Sequence, residues 1–349
     1  MKKVKRLISI LAATALLIAI LFVAQAVLVP KYLSASPEGS LTAEYYDDVA
    51  EVSHDVLFVG DCEVYETFVP AILWEEYGVS SYVRGSPQQL AWQSYYLLED
   101  ALRYETPKVV VFNVLALKYG EPQKEEFNRM TVDGMRWSSS KADCIKASAT
   151  EEETFLSYVF PLLRFHSRWP ELTAEDWRYA FCDKPTVSDS GYLLQTGIEP
   201  MTGTPVTPSP LADYTLPETA MSYLDRMREL CAEKGITLVL VKAPTNAPRY
   251  HWWDEWDEQI VAYAAEHDLH YYNLIEKQTE IGLDWQTDTY DGGEHLNVYG
   301  AEKTTRYFGK ILSESYDLPD RRSDEDTRGV WDDRVESYYY DKLKQNEEE

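Results

Sequence analysis

HDVLFVGDCEVYETF, residues 54–68, is the stretch on which the fold turns. Its opening, HDVLFVG, is a compact apolar run stopped by Gly60, the pattern of a strand buried on both faces of a parallel sheet. Just beyond it, Gly60-Asp61-Cys62 puts a thiol on a tight strand-to-helix turn. Ligand sites in parallel sheets lie at the carboxyl ends of the strands, which is where this thiol stands.

The rest of the chain repeats that rhythm. A helix is expected near 70–77, a short strand at 80–83, and a helix over 87–104 with Pro87 near its first turn. KVVVFN, 108–113, is the next buried strand. Later come a helix over 218–234 ended by Gly235, a strand at 236–242, a helix over 254–267, a strand at 270–274 and a last helix over about 299–314. Strands alternating with helices predict a parallel sheet covered on both faces. Five strands in that order make a three-layer, flavodoxin-like α/β domain.

A chain of 349 residues exceeds what one small core needs, so one large domain with additions is expected. Hydrophobic content of 45%, with 26 Tyr and 10 Trp, indicates a folded globule. The net charge of −26 excludes nucleic acid as a partner, because binding phosphates takes clustered Lys and Arg. Cys62, Cys144, Cys182 and Cys231 are too scattered for a disulfide scaffold, although one bridge among the last three is open. None makes a zinc spacing with His, so no metal and no cofactor is expected.

The amino terminus differs from the rest. Lys2, Lys3, Lys5 and Arg6 precede an uncharged apolar run of 23 residues from Leu7 to Val29. A bilayer core needs about 20 such residues, and the basic flank stays cytoplasmic. Residues 1–29 therefore read as a flank and single-pass anchor, with the body of the chain outside the cell. Ala24-Gln25-Ala26 also has the small-x-small form of a signal-peptidase site, but cleaved apolar regions usually run only about 7–15 residues. Residues 30–50 read as a tether and 51–319 as the main domain, with an insertion at about 120–215 over the active face. Residues 320–349 read as a polar, exposed extension, in which VWDDRVESYYY has the composition to dock.

Near the end of the domain stands TYDGGEHLNVYGAEK, 289–303, an amphipathic helix that begins with two glycines between a carboxylate and an imidazole. Asp291 and His295 supply a base and its orienting group, the partners that a nucleophile needs. The plainer reading has Asp291 capping a turn and His295 packing at the helix entrance. Asp288 is close enough in sequence to be the orienter instead. Cys62 likewise reads either as a nucleophile that gains thiolate character beside His295 or as a small buried thiol.

Together the two blocks resemble the SGNH/GDSL hydrolase superfamily, in the membrane-anchored clostridial form. The matching residues are Gly60-Asp61-Cys62 with Glu63-Val64-Tyr65, and Asp288 to Asn297 with Tyr299-Gly300-Ala301-Glu302-Lys303. The resemblance spans about residues 51–315 and implies the SGNH hydrolase fold. It places Cys62 where the superfamily usually has Ser, His295 as base, and Asp291 or Asp288 as its partner. The motif spacing is one residue longer than usual, which leaves the two aspartates in competition. Gly85 of YVRGSPQQ falls on the glycine whose amide stabilises the oxyanion, and Asn113 on the asparagine whose side chain does likewise, although FNVL departs from G-x-N-D.

Other polar landmarks stand around this frame. His166 and Arg168 in FHSRW are candidates to bind a sugar or carboxylate, with a structural role equally open. Glu63 is expected to pair with Arg84. Lys242 is read as facing the cleft or solvent, and Trp252, Trp253 and Trp256 as core or sugar platform.

The resemblance implies an esterase or O-acyltransferase acting on acyl esters of a cell-envelope glycan, or on a small ester, with a membrane acyltransferase as a candidate partner. Cysteine is a strong nucleophile but also a good leaving group, which suits thioester chemistry or acyl transfer better than simple oxyester hydrolysis. The rival from a different class is a catalytically inert relative that binds glycan or holds an acyltransferase.

Overall fold

A computed structural model describes residues 2–29, 39–182, 186–202, 208–246 and 252–348. After α1 (Lys2–Leu28) and α2 (Ser40–Glu51), strands and helices alternate: β1 (Val56–Gly60), α3 (Cys62–Tyr65), α4 (Pro70–Tyr77), β2 (Ser81–Gly85), α5 (Ala91–Ala101) and β3 (Val109–Asn113). The alternation resumes with α11 (Glu218–Lys234), β4 (Thr237–Lys242), α12 (Asp254–Glu266), β5 (His270–Asn273), α13 (Gln278–Ile281) and α14 (Val298–Ser315). The five strands form one sheet in the order β2-β1-β3-β4-β5, parallel throughout. This is the expected three-layer α/β arrangement, with each strand within a residue or two of its expected span.

The period of two along a strand sorts the core onto two faces. Leu57, Val59, Val110, Phe112, Leu238 and Leu240 point to one face, under α5 and α11. Val56, Phe58, Val109, Val111, Val239 and Val241 point to the other, where Phe68, Leu73, Phe308 and Leu312 of the α4 and α14 side meet them. Both faces being covered explains why these strands read as unbroken apolar runs rather than alternating ones.

Between β3 and α11 the rhythm breaks into α6 (Glu125–Val132), α7 (Ser139–Ser148), α8 (Phe155–Val159), α9 (Leu162–Phe165) and α10 (Ala174–Phe181). The stretch after α10 runs back across the sheet's end. Ser190 O accepts from Val83 N, Leu193 N donates to Tyr65 O, and Gln195 O accepts from Val298 N. Within the insertion, the Pro-rich stretch TGTPVTPSPLADY, 202–214, lies partly outside the described residues, at 203–207.

Two expectations need correction. From residue 40 the supposed tether is a helix packed on the core: Leu41, Tyr45 and Tyr46 are buried, and the Tyr45 hydroxyl donates to Glu105 at 2.8 Å. Residues 30–38 of that span lie outside the described residues. The carboxyl-terminal extension is α15 (Glu325–Glu348), and it docks: Trp331 is fully buried against Trp74, ring centroids 5.6 Å apart, and Tyr338 is buried with its hydroxyl on Glu302. A sequence rich in Glu and Asp reads as solvated, yet two aromatics seven residues apart share a helix face and bury it.

Candidate active site

β1 ends at Gly60, and a side chain there would meet Val64 at 2.5 Å. Glycine thus lets the chain turn at once into α3 and places Cys62 at the sheet's carboxyl edge. On the other side of the cleft, Gly292 and Gly293 take φ of +82° and +98°, a region that favours glycine. This tight turn bends Asp291 back on His295. Asp291 Oδ1 accepts the His295 backbone N–H at 2.9 Å, and its Oδ2 lies 2.5 Å from ring Nδ1. Nε2, the other ring nitrogen, is 3.1 Å from Cys62 Sγ. The turn is braced from below, where Thr289 Oγ1 accepts from Gly293 N at 2.8 Å and Gly293 O accepts from Asn246 N at 2.9 Å.

Asp288 is not part of this chain of contacts. Buried beneath the helix entrance, its carboxylate takes the Lys303 ammonium at 2.6 Å, the Asp284 N–H at 2.8 Å and the Thr287 hydroxyl at 3.1 Å. Asn297 caps α14 just above, accepting from Tyr299 N and Gly300 N. Of the two competing aspartates, Asp291 alone faces the imidazole.

A second carboxylate does reach the ring, and the sequence reading missed it. Glu66, one turn after Cys62, brings Oε2 to 3.5 Å from His295 Nδ1 and accepts the Tyr290 hydroxyl on Oε1 at 2.8 Å. Tyr290 lies nearly parallel to the imidazole, ring centroids 6.3 Å apart. The Cys62–Glu66 spacing of one helical turn was the available signal.

Below the thiol lies a buried polar network. The Lys242 ammonium is fully enclosed, 2.7 and 2.8 Å from the two Glu63 oxygens. Asn113 donates through Nδ2 to Asp61 at 3.1 Å and Glu63 at 3.0 Å, and its Oδ1 accepts from Ala243 N. Three expectations change here. Asn113 spends its amide on the two acidic side chains and does not offer it to a substrate. Glu63 pairs with Lys242, not Arg84, because Arg84 shares parity with Tyr82 and so points to the α2–α5 face. There it meets Asp100 at 3.0 Å and lies 4.0 Å above the Tyr45 ring. Lys242 faces neither open cleft nor solvent.

Gly85 sits in register with Gly60 at the end of β2, and a side chain there would come within 3.1–3.3 Å of Tyr65 and the Gly60 and Asp61 carbonyls. His166 is exposed, with Nδ1 3.2 Å from the Leu163 carbonyl, and Arg168 donates to Leu28 O at 2.7 Å and to Asp176. Both belong to the region around the end of α1 rather than to the Cys62 group. Trp252 is buried, its ring 5.6 Å from Trp256, and serves the core. All four thiols are free, so no disulfide forms among Cys144, Cys182 and Cys231.

The electrostatics follow from burial. Burial pushes the Cys62 thiol up to about 11; His295 opposes this, while Asp61 and Glu66 add to it. Burial also lifts Glu66 to about 7 against the pull of His295 and the Tyr290 hydroxyl. It lifts Asp61 to about 6, with Glu63 adding and Lys242 and Asn113 opposing. For His295, burial disfavours the imidazolium, but Cys62, Glu66 and Asp291 raise its pKa overall. The pull of Cys62 exists only when the thiol is ionised. With the thiol neutral near pH 7, the two carboxylates are what favour a protonated ring. Asp291, Glu294 and His295 also bring potential metal-ligand atoms within 4.8 Å of one another, though Glu294 is exposed and the other two are bonded together.

No protein-family model and no curated protein matches the chain. Among solved structures it is similar to a protein assigned to the lipolytic G-D-S-L family from Desulfitobacterium hafniense, with 13% identity over 74% of this chain and 100% of that one, TM-score 0.37. It is also similar to a GDSL-like lipase from Bacteroides thetaiotaomicron, with 11% identity over 80% and 100% of the two chains, TM-score 0.39. A third is a protein assigned as an acylhydrolase from Bacteroides fragilis, with 10% identity over 78% and 95%, TM-score 0.38. Two of these three chains carry the G-D-S-L name and the third an acyl-hydrolysing one.

Proposed function

We propose that this chain is an SGNH-type acyl-ester enzyme, tethered by α1 with its main domain outside the cell, acting on O-acyl esters of an envelope glycan through Cys62, His295 and Asp291. One observation carries the reading: His295 stands between the thiol at 3.1 Å and Asp291 at 2.5 Å, at the carboxyl edge of a parallel sheet.

The steps follow from that order of atoms. A thiol held near 11 is a poor nucleophile until a base takes its proton, so the neutral ring of His295 accepts it as Sγ attacks the ester carbonyl. Asp291, on Nδ1, fixes the tautomer that leaves Nε2 free to accept and steadies the imidazolium that forms. The tetrahedral oxyanion collapses, its C–O bond to the alcohol breaks, and His295 Nε2–H protonates the departing alkoxide. The acyl group is then a thioester on Cys62. Water or a sugar hydroxyl, deprotonated by His295, attacks this thioester and releases the thiol. The backbone amides of Cys62 and Gly85 are the candidate donors to the oxyanion. Such donors are worth about 3–4 kcal/mol each in comparable sites.

A second reading draws on two observations, the amide of Asn113 engaged by Asp61 and Glu63 and the raised thiol pKa. It makes the chain a binder of acylated glycan, or the holder of a membrane acyltransferase, without turnover. Release of acetate from p-nitrophenyl acetate and from O-acetylated glycan separates the two. The enzyme reading expects Cys62→Ala and His295→Ala to lose turnover, and Cys62→Ser to keep or raise oxyester hydrolysis. Wild-type rates no higher than those of Cys62→Ala would support the binder.

A further inference from the structure

The exposed apolar side chains of the domain are not evenly spread. Outside residues 4–22, half of the strongly exposed large apolar side chains among the described residues fall between 155 and 181. They include the aromatics Phe155, Phe160, Trp169, Trp177 and Phe181, of which Trp169 is 57% and Phe160 54% exposed. Trp177 and Phe181 stack on one face of α10, ring centroids 6.1 Å apart. Soluble surfaces rarely gather apolar groups this way, and such a patch marks a surface that meets something.

The same stretch holds the end of the apolar helix. α1 packs against α9, α10 and the 3-10 turn at 166–171, with Val27 and Leu28 buried there. Arg168 donates to the Leu28 carbonyl at 2.7 Å, satisfying one of the acceptors a helix leaves open at its end, and Asp176 holds the guanidinium in turn. Residues 23–26 are already half-covered by protein.

Length sharpens the point. The apolar run from Leu7 is 23 residues, about 34 Å at 1.5 Å per residue, enough for a hydrocarbon core of about 30 Å. Once the seven residues 23–29 are covered by protein, 16 remain for lipid, or roughly 24 Å. The shortfall of about 6 Å disappears if the clamping segment itself sinks into the boundary between headgroups and acyl chains. Side chains of interfacial helices bury there by about 5–10 Å, and Trp is the residue that favours that depth.

We infer that the face built by α8, α9, α10 and the 166–171 turn lies in the outer headgroup–acyl boundary around the exit of α1, its occupant the bilayer surface itself. This rests on reading residues 7–29 as a membrane span. The domain is then seated on the membrane at two points, by the helix and by this aromatic face, and its tilt is restricted.

The test places a fluorescent amino acid singly at Ile18, Phe160, Trp169, Trp177 or Lys310 of the full-length chain, reconstituted in phosphatidylcholine vesicles. Some of the lipids carry a nitroxide quencher just below the headgroup. The inference expects reporters at 160, 169 and 177 to lose most of their emission, with Ile18 also quenched and Lys310, exposed on α14, unaffected. Quenching at Ile18 with 160, 169 and 177 as bright as 310 overturns the inference while leaving the span intact. If those three are shielded from aqueous iodide but not quenched by lipid, and only at high protein-to-lipid ratio, the occupant is a second copy and the inference is wrong. An unquenched Ile18 overturns the span and the inference with it.

Discussion

Glu66 Oε2 stands 3.5 Å from Nδ1 of His295, the same ring nitrogen that meets Asp291. Two carboxylates therefore favour a protonated ring, one by a short hydrogen bond and one at slightly longer range. Replacing Glu66 by Gln removes a charge that raises the imidazolium's pKa, so His295 becomes a weaker base that is free at lower pH. The expected result is a fall of roughly tenfold in the kcat/KM plateau for ester turnover, with the acidic limb moved to lower pH. A residue with only a packing role would lower the plateau and leave the limb in place. Pre-steady-state and steady-state pH profiles of wild type and Glu66→Gln make the comparison.

The two aspartates that compete in the sequence are expected to part in function. Asp291→Asn removes the acceptor at Nδ1 and allows the wrong tautomer, so kcat should fall by about 10²–10⁴-fold with little change in thermal stability. Asp288→Asn breaks the contact with Lys303 beneath α14 and should lower the melting temperature instead, with a much smaller loss of rate. The reverse pattern would reassign the orienting role.

The two glycines of the turn are separable as well. An alanine at 292 meets open space, so it bears only the strain of φ +82°, about 1 kcal/mol. At 293 its Cβ would also come within 2.7 Å of Asn246, with φ at +98°. Gly293→Ala should therefore destabilise the fold more, by about 2–3 kcal/mol, and lower the rate by moving His295. Thermal melts and turnover of the two variants check the order.

Much of this site is legible in the sequence. The strand ends at Gly60 and Asn113, the helix stop at Gly235 and the D-G-G-E-H turn are local signals, although the spacing of that turn alone leaves Asp288 and Asp291 in competition. What escaped reading was long-range. Glu63 and Lys242 are 179 positions apart, and nothing local says that both turn inward. Arg84 pairs with Asp100 rather than Glu63: strand ends alone do not give parity, whereas the alternation with Tyr82 does. The span of α2 reads as a tether, and docking of α15 stays open in VWDDRVESYYY, since a helix with only two or three apolar anchors buries them only when a groove is waiting. Glu66 was passed over for the same reason, a single acid whose meaning comes from His295 arriving across the cleft.

Stability should fall as pH rises from about 4 to 9, through the carboxyls up to about 7 and through His54 above that. Asp61, Glu66 and Asp189 are lifted to about 6, 7 and 7, chiefly by burial, so the folded chain keeps protons that the unfolded chain loses near pH 4. For His54, burial disfavours the charge, but hydrogen bonds to Asp48 and Glu105 win and hold it at about 9, against about 6.5 unfolded. Its contribution is fully present below pH 6.5 and is lost as pH rises through 9. In both cases the folded state binds more protons, which makes the slope of unfolding free energy with pH negative. Calorimetry of the detergent-solubilised chain should show a melting temperature that declines over this window. His54→Gln should flatten the upper part of the decline and lower the melting temperature below it.

In the proposed mechanism Cys62 carries the acyl group and His295 enables its transfer. The most direct measurement is peptide mass spectrometry after acid quench of the full-length chain during turnover of p-nitrophenyl acetate. The expected result is an acetyl thioester on the peptide containing Cys62 in the wild type, none there in Cys62→Ala, and a strongly reduced yield in His295→Ala. Turnover with no acetyl group on Cys62, or an equal yield of Cys62 thioester without the His295 imidazole, would contradict it.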